Sequence, residues 1–215
     1  MIRIMRKLLS LIAASALLLV AQPASATPPE EALARFVDRV ETLSADFEQI
    51  ERDDRDEVLQ SSRGHLWLQR PGRFRWEVTE PFSQLVVADG DTLWNYDPDL
   101  AQATRRPARE ALSGTPAELL AEGTGIEERF EVRAADAAPV GEANAVVRLL
   151  PREDTSDFSA VTLHLREGVP VALIFDDRIG GRTEVRFSNI VLNEAIDAQK
   201  LRFEPPEGTE VVRLE

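Results

Sequence analysis

The chain contains no cysteine, and that one absence excludes disulfide staples, a thiolate nucleophile and an N-terminal cysteine able to carry a lipid. Histidine is almost as scarce. The two present, His65 and His164, each stand alone in an alternating pattern, with no partner at metal-ligand spacing. No G-x-S-x-G elbow and no glycine-rich phosphate loop occurs. Basic residues are the minority charge, 25 against 38 acidic, for a formal net charge of −13. A field of that sign repels phosphate backbones and anionic headgroups, so nucleic acid is not an expected partner and adsorption to an anionic membrane is disfavoured. The carboxylates that cluster do so where turns want them. Asp89 and Asp91 flank a glycine, Asp97 and Asp99 flank a proline, and Asp53, Asp54 and Asp56 share a charged loop.

Long apolar runs are limited to one. "LLSLIAASALLLVA", Leu8 to Ala21, is too short to cross a bilayer comfortably, follows the basic residues Arg3, Arg6 and Lys7, and leads to the small-residue exit Ala24-Ser25-Ala26. Residues 1–26 therefore read as a cleaved signal peptide. The remainder, 27–215, is expected to be exported and to form a single domain with a substantial core.

What is abundant is alternation. "SADFEQIER", "GHLWLQR", "RFRWEV", "QLVVADG", "TLWNYD", "QATRR", "FEVRA", "NAVVRLL", "AVTLHLRE", "PVALIFDD" and "RTEVRFSNIVL" are short period-2 segments, the pattern of an antiparallel meander. Asp89-Gly90-Asp91, Arg166-Glu167-Gly168 and Ile179-Gly180-Gly181 place glycine where tight turns need positive φ. Two segments break the alternation. Leu33, Phe36, Val37, Val40 and Leu43 recur at three and four residues, predicting an amphipathic helix from about 29 to 43 with Pro28 and Pro29 at its start. "SGTPAELLAEGTG" predicts a short helix from about 115 to 122. The expected class is mainly β with helices (α+β). Such a meander either closes and fills with side chains or curves and leaves a space for helices to cover, and the two apolar helix stripes favour the second. Alternation alone does not distinguish a packed space from a hollow one.

Bulky rings and arginines concentrate in one stretch. Phe74, Trp76 and Val78 share one strand face and Arg73, Arg75 and Glu77 the other, while Leu66, Leu68 and Arg70 line up one strand earlier. Arg70 ends an apolar row just before Pro71. These rings can be plain core with a guanidinium at the rim; alternatively, the guanidinium can reach several backbone carbonyls and tie down whatever covers the sheet.

"GHLWLQRPGRFRWEVTEPFSQLVVADGDTLWNYDPDLAQAT" resembles the outer-membrane lipoprotein carrier protein family LolA, as do "SADFEQ", "GTPAELLA" and "LRFEPPEGTEVV". The resemblance implies an open, incomplete antiparallel β-barrel whose hydrophobic cavity is covered by a helical lid. It also implies a monomeric periplasmic shuttle that takes acylated lipoproteins from the inner-membrane transporter LolCDE to the outer-membrane receptor LolB, without cofactor, metal or enzymatic activity. Arg70 matches the family's lid latch, Phe74 its partner-facing rim and Trp76 its cavity lining. The candidate acyl-cavity and rim residues are completed by Leu85, Val87 and Trp94 from strands and Leu119, Leu120, Phe36 and Val40 from helices. The lid departs from the family pattern at Ala117 and Glu118, where larger apolar side chains are usual. LolB itself has the same fold but is a lipoprotein, which the lack of cysteine excludes. The competing expectation is a periplasmic sensor or regulatory domain that binds lipid as a signal on the same half-barrel.

Overall fold

Helix α1 (Pro29–Arg39) forms where proline at N1 and Glu30 and Glu31 in the first turn favour it, and it buries Ala32, Leu33 and Phe36. It is shorter than its apolar stripe. Val40 turns extended, so the stripe continues into β1 (Thr42–Arg52), where Leu43 is buried as a strand residue. The computed structural model describes residues 28–112, 116–153, 156 and 158–214. The expected signal segment 1–26 lies outside these, as do Ser113, Gly114 and Thr115 at the expected start of the second helix.

Every alternating segment forms a strand. After β1 come β2 (Val58–Gln69), β3 (Arg73–Glu80), β4 (Gln84–Asp89), β5 (Thr92–Asp97), β6 (Gln102–Pro107), β7 (Phe130–Ala134), β8 (Ala145–Pro151), β9 (Phe158–Arg166), β10 (Val169–Asp177) and β11 (Arg182–Leu192). Between β6 and β7 lie α2 (Ala108–Leu112), α3 (Pro116–Glu122) and α4 (Ile126–Arg129). Helix α3 is the expected insert; α2 and α4 are too short to show a period in the sequence. A twelfth strand, β12 (Glu210–Arg213), completes one sheet in the order β12-β6-β5-β4-β3-β2-β1-β11-β10-β9-β8-β7. Strands β12 and β7 are its two edges, so the barrel is open. All neighbours are antiparallel except β12, which runs parallel to β6, because the chain from 193 to 209 must cross the sheet to reach that edge.

The helices cover one face. Helix α1 lies on β7, β8 and β10, α2 on β5 and β6, and α3 on β2. Beneath them Phe36, Leu68, Leu119, Leu149, Leu163 and Leu173 are almost fully buried, each contributing roughly 1.5–3 kcal/mol. The other face is crossed by the returning segment 193–209, whose Phe203 ring packs on Trp94 and Tyr96 at 5.5 and 5.1 Å and whose Lys200 Nζ lies 4.2 Å from the Trp67 ring centre.

On that outer face His164 is wholly buried. Its Nδ1 accepts the Val140 N–H at 3.1 Å, so the proton sits on Nε2, which has no partner. Burial pulls the His164 pKa below its ordinary 6.5, with Glu184 opposing. Below pH 6.5 the unfolded chain therefore binds a proton that the folded chain resists, and stability falls with pH until the folded group titrates too. His164→Asn keeps an acceptor for Val140 and removes this titration, so between pH 7 and 5 it should lose less stability than the parent protein in urea melts.

Candidate functional site

Two helix C-termini converge on one side chain. The last carbonyls of a helix lack intrahelical donors and carry the negative end of its dipole, and α1 and α3 both end beside the β2–β3 turn, where Arg70 follows the apolar row of Leu66 and Leu68. Arg70 Nη1 donates to the carbonyls of Val37 and Val40 at 3.0 Å each and of Phe36 at 3.4 Å, and Nε donates to the Leu120 carbonyl at 2.9 Å. The main chain repeats the tie: the N–H of Gly72 donates to Ala121 O at 3.1 Å and that of Arg70 to Glu41 O at 2.9 Å. The guanidinium also lies 4.5 Å from the centre of the Phe36 ring.

Among the described residues no carboxylate pairs with it. Burial lowers the Arg70 pKa to about 10, which leaves it charged at neutral pH, compensated by the carbonyl dipoles and the Phe36 ring. Gly123 makes the fit possible. Its φ is +66°, and a Cβ there would lie 2.6 Å from Arg70 Nε and Cζ.

Behind this clasp is a cavity of about 390 Å³, within the roughly 300–1,000 Å³ range of small-molecule sites. Leu66, Leu68, Phe74, Trp76, Val86 and Leu93 form one wall. Phe158, Leu173, Phe175 and Val185 form the other, and Ala111, Leu112, Ala117 and Leu120 the cover. Among the described residues Gln49 and Thr183 supply the only polar lining side chains. Trp76 is held by stacking on Phe47, centroids 3.9 Å apart, and by the edge of Phe187 at 6.5 Å. A surface so rich in apolar atoms can bind hydrocarbon.

The geometry sorts the sequence expectations. Phe74, Trp76 and Leu120 line the cavity, and Arg70 sits at the junction of its cover. Phe36, Val40 and Leu119 are buried in the core that carries the clasp rather than in the cavity wall. Leu85, Val87 and Trp94 are on the wrong face. Strand β4 pairs with β3 so that Trp76 faces Val86 and Arg75 faces Val87, and β5 follows with Val87 opposite Trp94 and Ala88 opposite Leu93. Because side chains alternate, this register puts Val86, Ala88 and Leu93 inside and Leu85, Val87 and Trp94 outside, where Trp94 is covered by Phe203. Of the lid departures, Ala117 lines the cavity, while the Glu118 side chain lies outside the described residues. The whole far wall escaped sequence reasoning. Its parity was available in Val161, Leu163 and Leu165 on β9, but nothing in that strand tells which of its two buried faces is hollow.

The family model described as outer membrane lipoprotein carrier protein LolA matches residues 38–204. Proteins named outer-membrane lipoprotein carrier protein from Halorhodospira halophila and Alkalilimnicola ehrlichii are 40% and 39% identical to this chain. The alignments cover 84% of this chain in both cases, and 84% and 81% of the relatives respectively. Among solved structures, an uncharacterized conserved protein from Thermus thermophilus superposes with a TM-score of 0.56 at 17% identity, over 86% of this chain and 98% of that one; that likeness concerns the fold.

Proposed function

Because the chain belongs to the LolA family of outer-membrane lipoprotein carrier proteins, we propose that it carries the acyl chains of lipoproteins through the periplasm in the cavity behind Arg70. It is a carrier and not an enzyme. Hydrocarbon resists exposure to water by roughly 0.8 kcal/mol per methylene, so a lipoprotein that leaves a membrane needs an apolar shelter. The observation that carries the reading is the apolar cavity under helices clasped by one arginine, since a carrier must also open. In the empty state Arg70 holds α1 and α3 together; entry of acyl chains exchanges those hydrogen bonds for apolar contacts, and the balance of the two states sets uptake and release.

In the same proposal the donor is the inner-membrane transporter LolCDE and the acceptor the outer-membrane receptor LolB, the protein works as a monomer, residues 1–26 are its cleaved export signal and residues 27–215 its one domain. Phe74 and Trp76 contact cargo and Arg70 is the latch. The test is to incubate the protein with inner-membrane vesicles holding LolCDE and a labelled triacylated lipoprotein. Label released into a soluble one-to-one complex and passed to LolB-bearing membranes is the expected result. Retention of all label in the donor vesicles overturns the proposal and favours a lipid sensor.

The register gives a second check. Leu93→Gln should raise the Kd for a fluorescent fatty-acyl probe at least tenfold, because it places an amide in the cavity wall. Trp94→Ala, one residue away, should leave the Kd within about twofold while lowering stability by roughly 1–3 kcal/mol through the lost packing of a half-buried ring on Phe203. Equal weakening by both would overturn the assignment of faces.

A further inference from the structure

An acidic chain with unpaired arginines gathered at one corner is unusual, and the corner lies at a sheet edge. Arg105, Arg106 and Arg213 surround a recess of about 210 Å³ with Asp91, Thr92 and Pro107. Arg105 and Arg213 are neighbours in the β6–β12 register, and all three arginines are exposed. Among the described residues none of these guanidinium groups forms an ion pair or hydrogen bond; Arg105 rests over Trp94 at 5.7 Å. Among the described residues Asp91 is the one carboxylate lining the recess, against three arginines, although the chain as a whole carries −13.

The edge itself is open. The N–H of Glu210 donates to Ala101 O and that of Leu214 to Arg105 O, at 2.8 and 3.0 Å. Main-chain groups alternate in direction along a strand, so those of Val211 and Arg213 point away from β6, where β12 has no further neighbour among the described residues. Val211 and Leu214 are 44% and 40% exposed beside them. Free main-chain donors and acceptors, with Arg105 and Arg213 together on one face, form an edge that fits an extended polypeptide.

We propose that the β12 edge is a docking site for an extended, acidic segment of a partner protein, which adds as a further strand and places its carboxylates on Arg105 and Arg213, which share one face. A strand edge recognises a polypeptide backbone, which a membrane surface does not present, and the net negative charge of the chain opposes approach to an anionic bilayer. The site lies outside the acyl cavity and does not depend on cargo.

The test uses amide NMR shifts of the purified protein titrated with a short capped peptide of alternating valine and glutamate. Shifts concentrated on β12 and β6 are expected, and the binding should weaken with added salt. Arg105→Glu with Arg213→Glu should weaken it at least tenfold, and Val211→Pro, which removes only an outward N–H, should do so with the arginines intact. Unchanged melting temperatures show that these exposed substitutions leave the fold in place. Absence of β12 shifts at millimolar peptide, equal binding of a peptide with lysine in place of glutamate, or indifference to Val211→Pro overturns the proposal. Arginine-dependent binding to phosphatidylglycerol vesicles without peptide binding also overturns it and makes the recess a headgroup site.

Discussion

Arg70→Leu is expected to give a folded protein that takes up acylated lipoprotein normally and releases it to acceptor membranes roughly a hundredfold more slowly. Hydrogen bonds from a charged donor contribute about 1.5–3 kcal/mol each, and Arg70 makes four to the carbonyls of Phe36, Val37, Val40 and Leu120. In the proposed carrier those bonds belong to the closed, empty state. If their loss disfavours that state by about 3 kcal/mol net, the equilibrium moves toward the open, loaded form by about two factors of ten. Leucine fits the apolar row of Leu66 and Leu68, so the sheet tolerates it. Arg70→Lys should fall between the two, because a single ammonium cannot fork between two helices. Handover of a labelled lipoprotein, measured with both variants, checks this; a normal rate for Arg70→Leu rules out the latch.

The second large effect is one of stability. Gly64→Ala should lower the free energy of unfolding by about 3 kcal/mol or more, because a Cβ at this position would lie 1.9 Å from the Glu77 carbonyl oxygen and 2.9 Å from Phe47 Cζ. Neither neighbour can easily yield. Glu77 O belongs to the adjacent strand β3, and Phe47 is pinned by its stack on Trp76. The variant should therefore also perturb the tryptophan fluorescence of the cavity wall. A urea midpoint close to that of the parent protein would mean that β2 and β3 separate here without cost.

How far these features were legible depends on what each one is made of. The eleven alternating segments became strands, and the stripe became a helix as far as Leu33, Phe36 and Val37, because side-chain periodicity is written directly in residue order. Glycines in the turns did what backbone freedom allows, with Gly90 and Gly180 at φ of +108° and +99°. Leu85, Val87 and Trp94 were misplaced because both parities of "QLVVADGDTLW" are apolar, so the inward face follows from the pairing of Val78 with Gln84 across a turn and not from composition. Strand β12 was missed since four residues, Glu210 to Arg213, carry too little pattern to announce a parallel partner a hundred positions away. Arg70 stood out by its place in an apolar row, but its acceptors are peptide carbonyls, which every residue possesses and no residue type advertises.

That last property reaches into evolution. A clasp that grips side chains would tie the composition of the lid to the arginine, so that each change in one called for a change in the other. Arg70 grips the backbone of Phe36, Val37, Val40 and Leu120, and a carbonyl survives any substitution at its own residue. Substitutions in the proposed lid, at Ala117 or Glu118 of "PAELLA" for instance, would therefore change its size and polarity without removing any acceptor of Arg70.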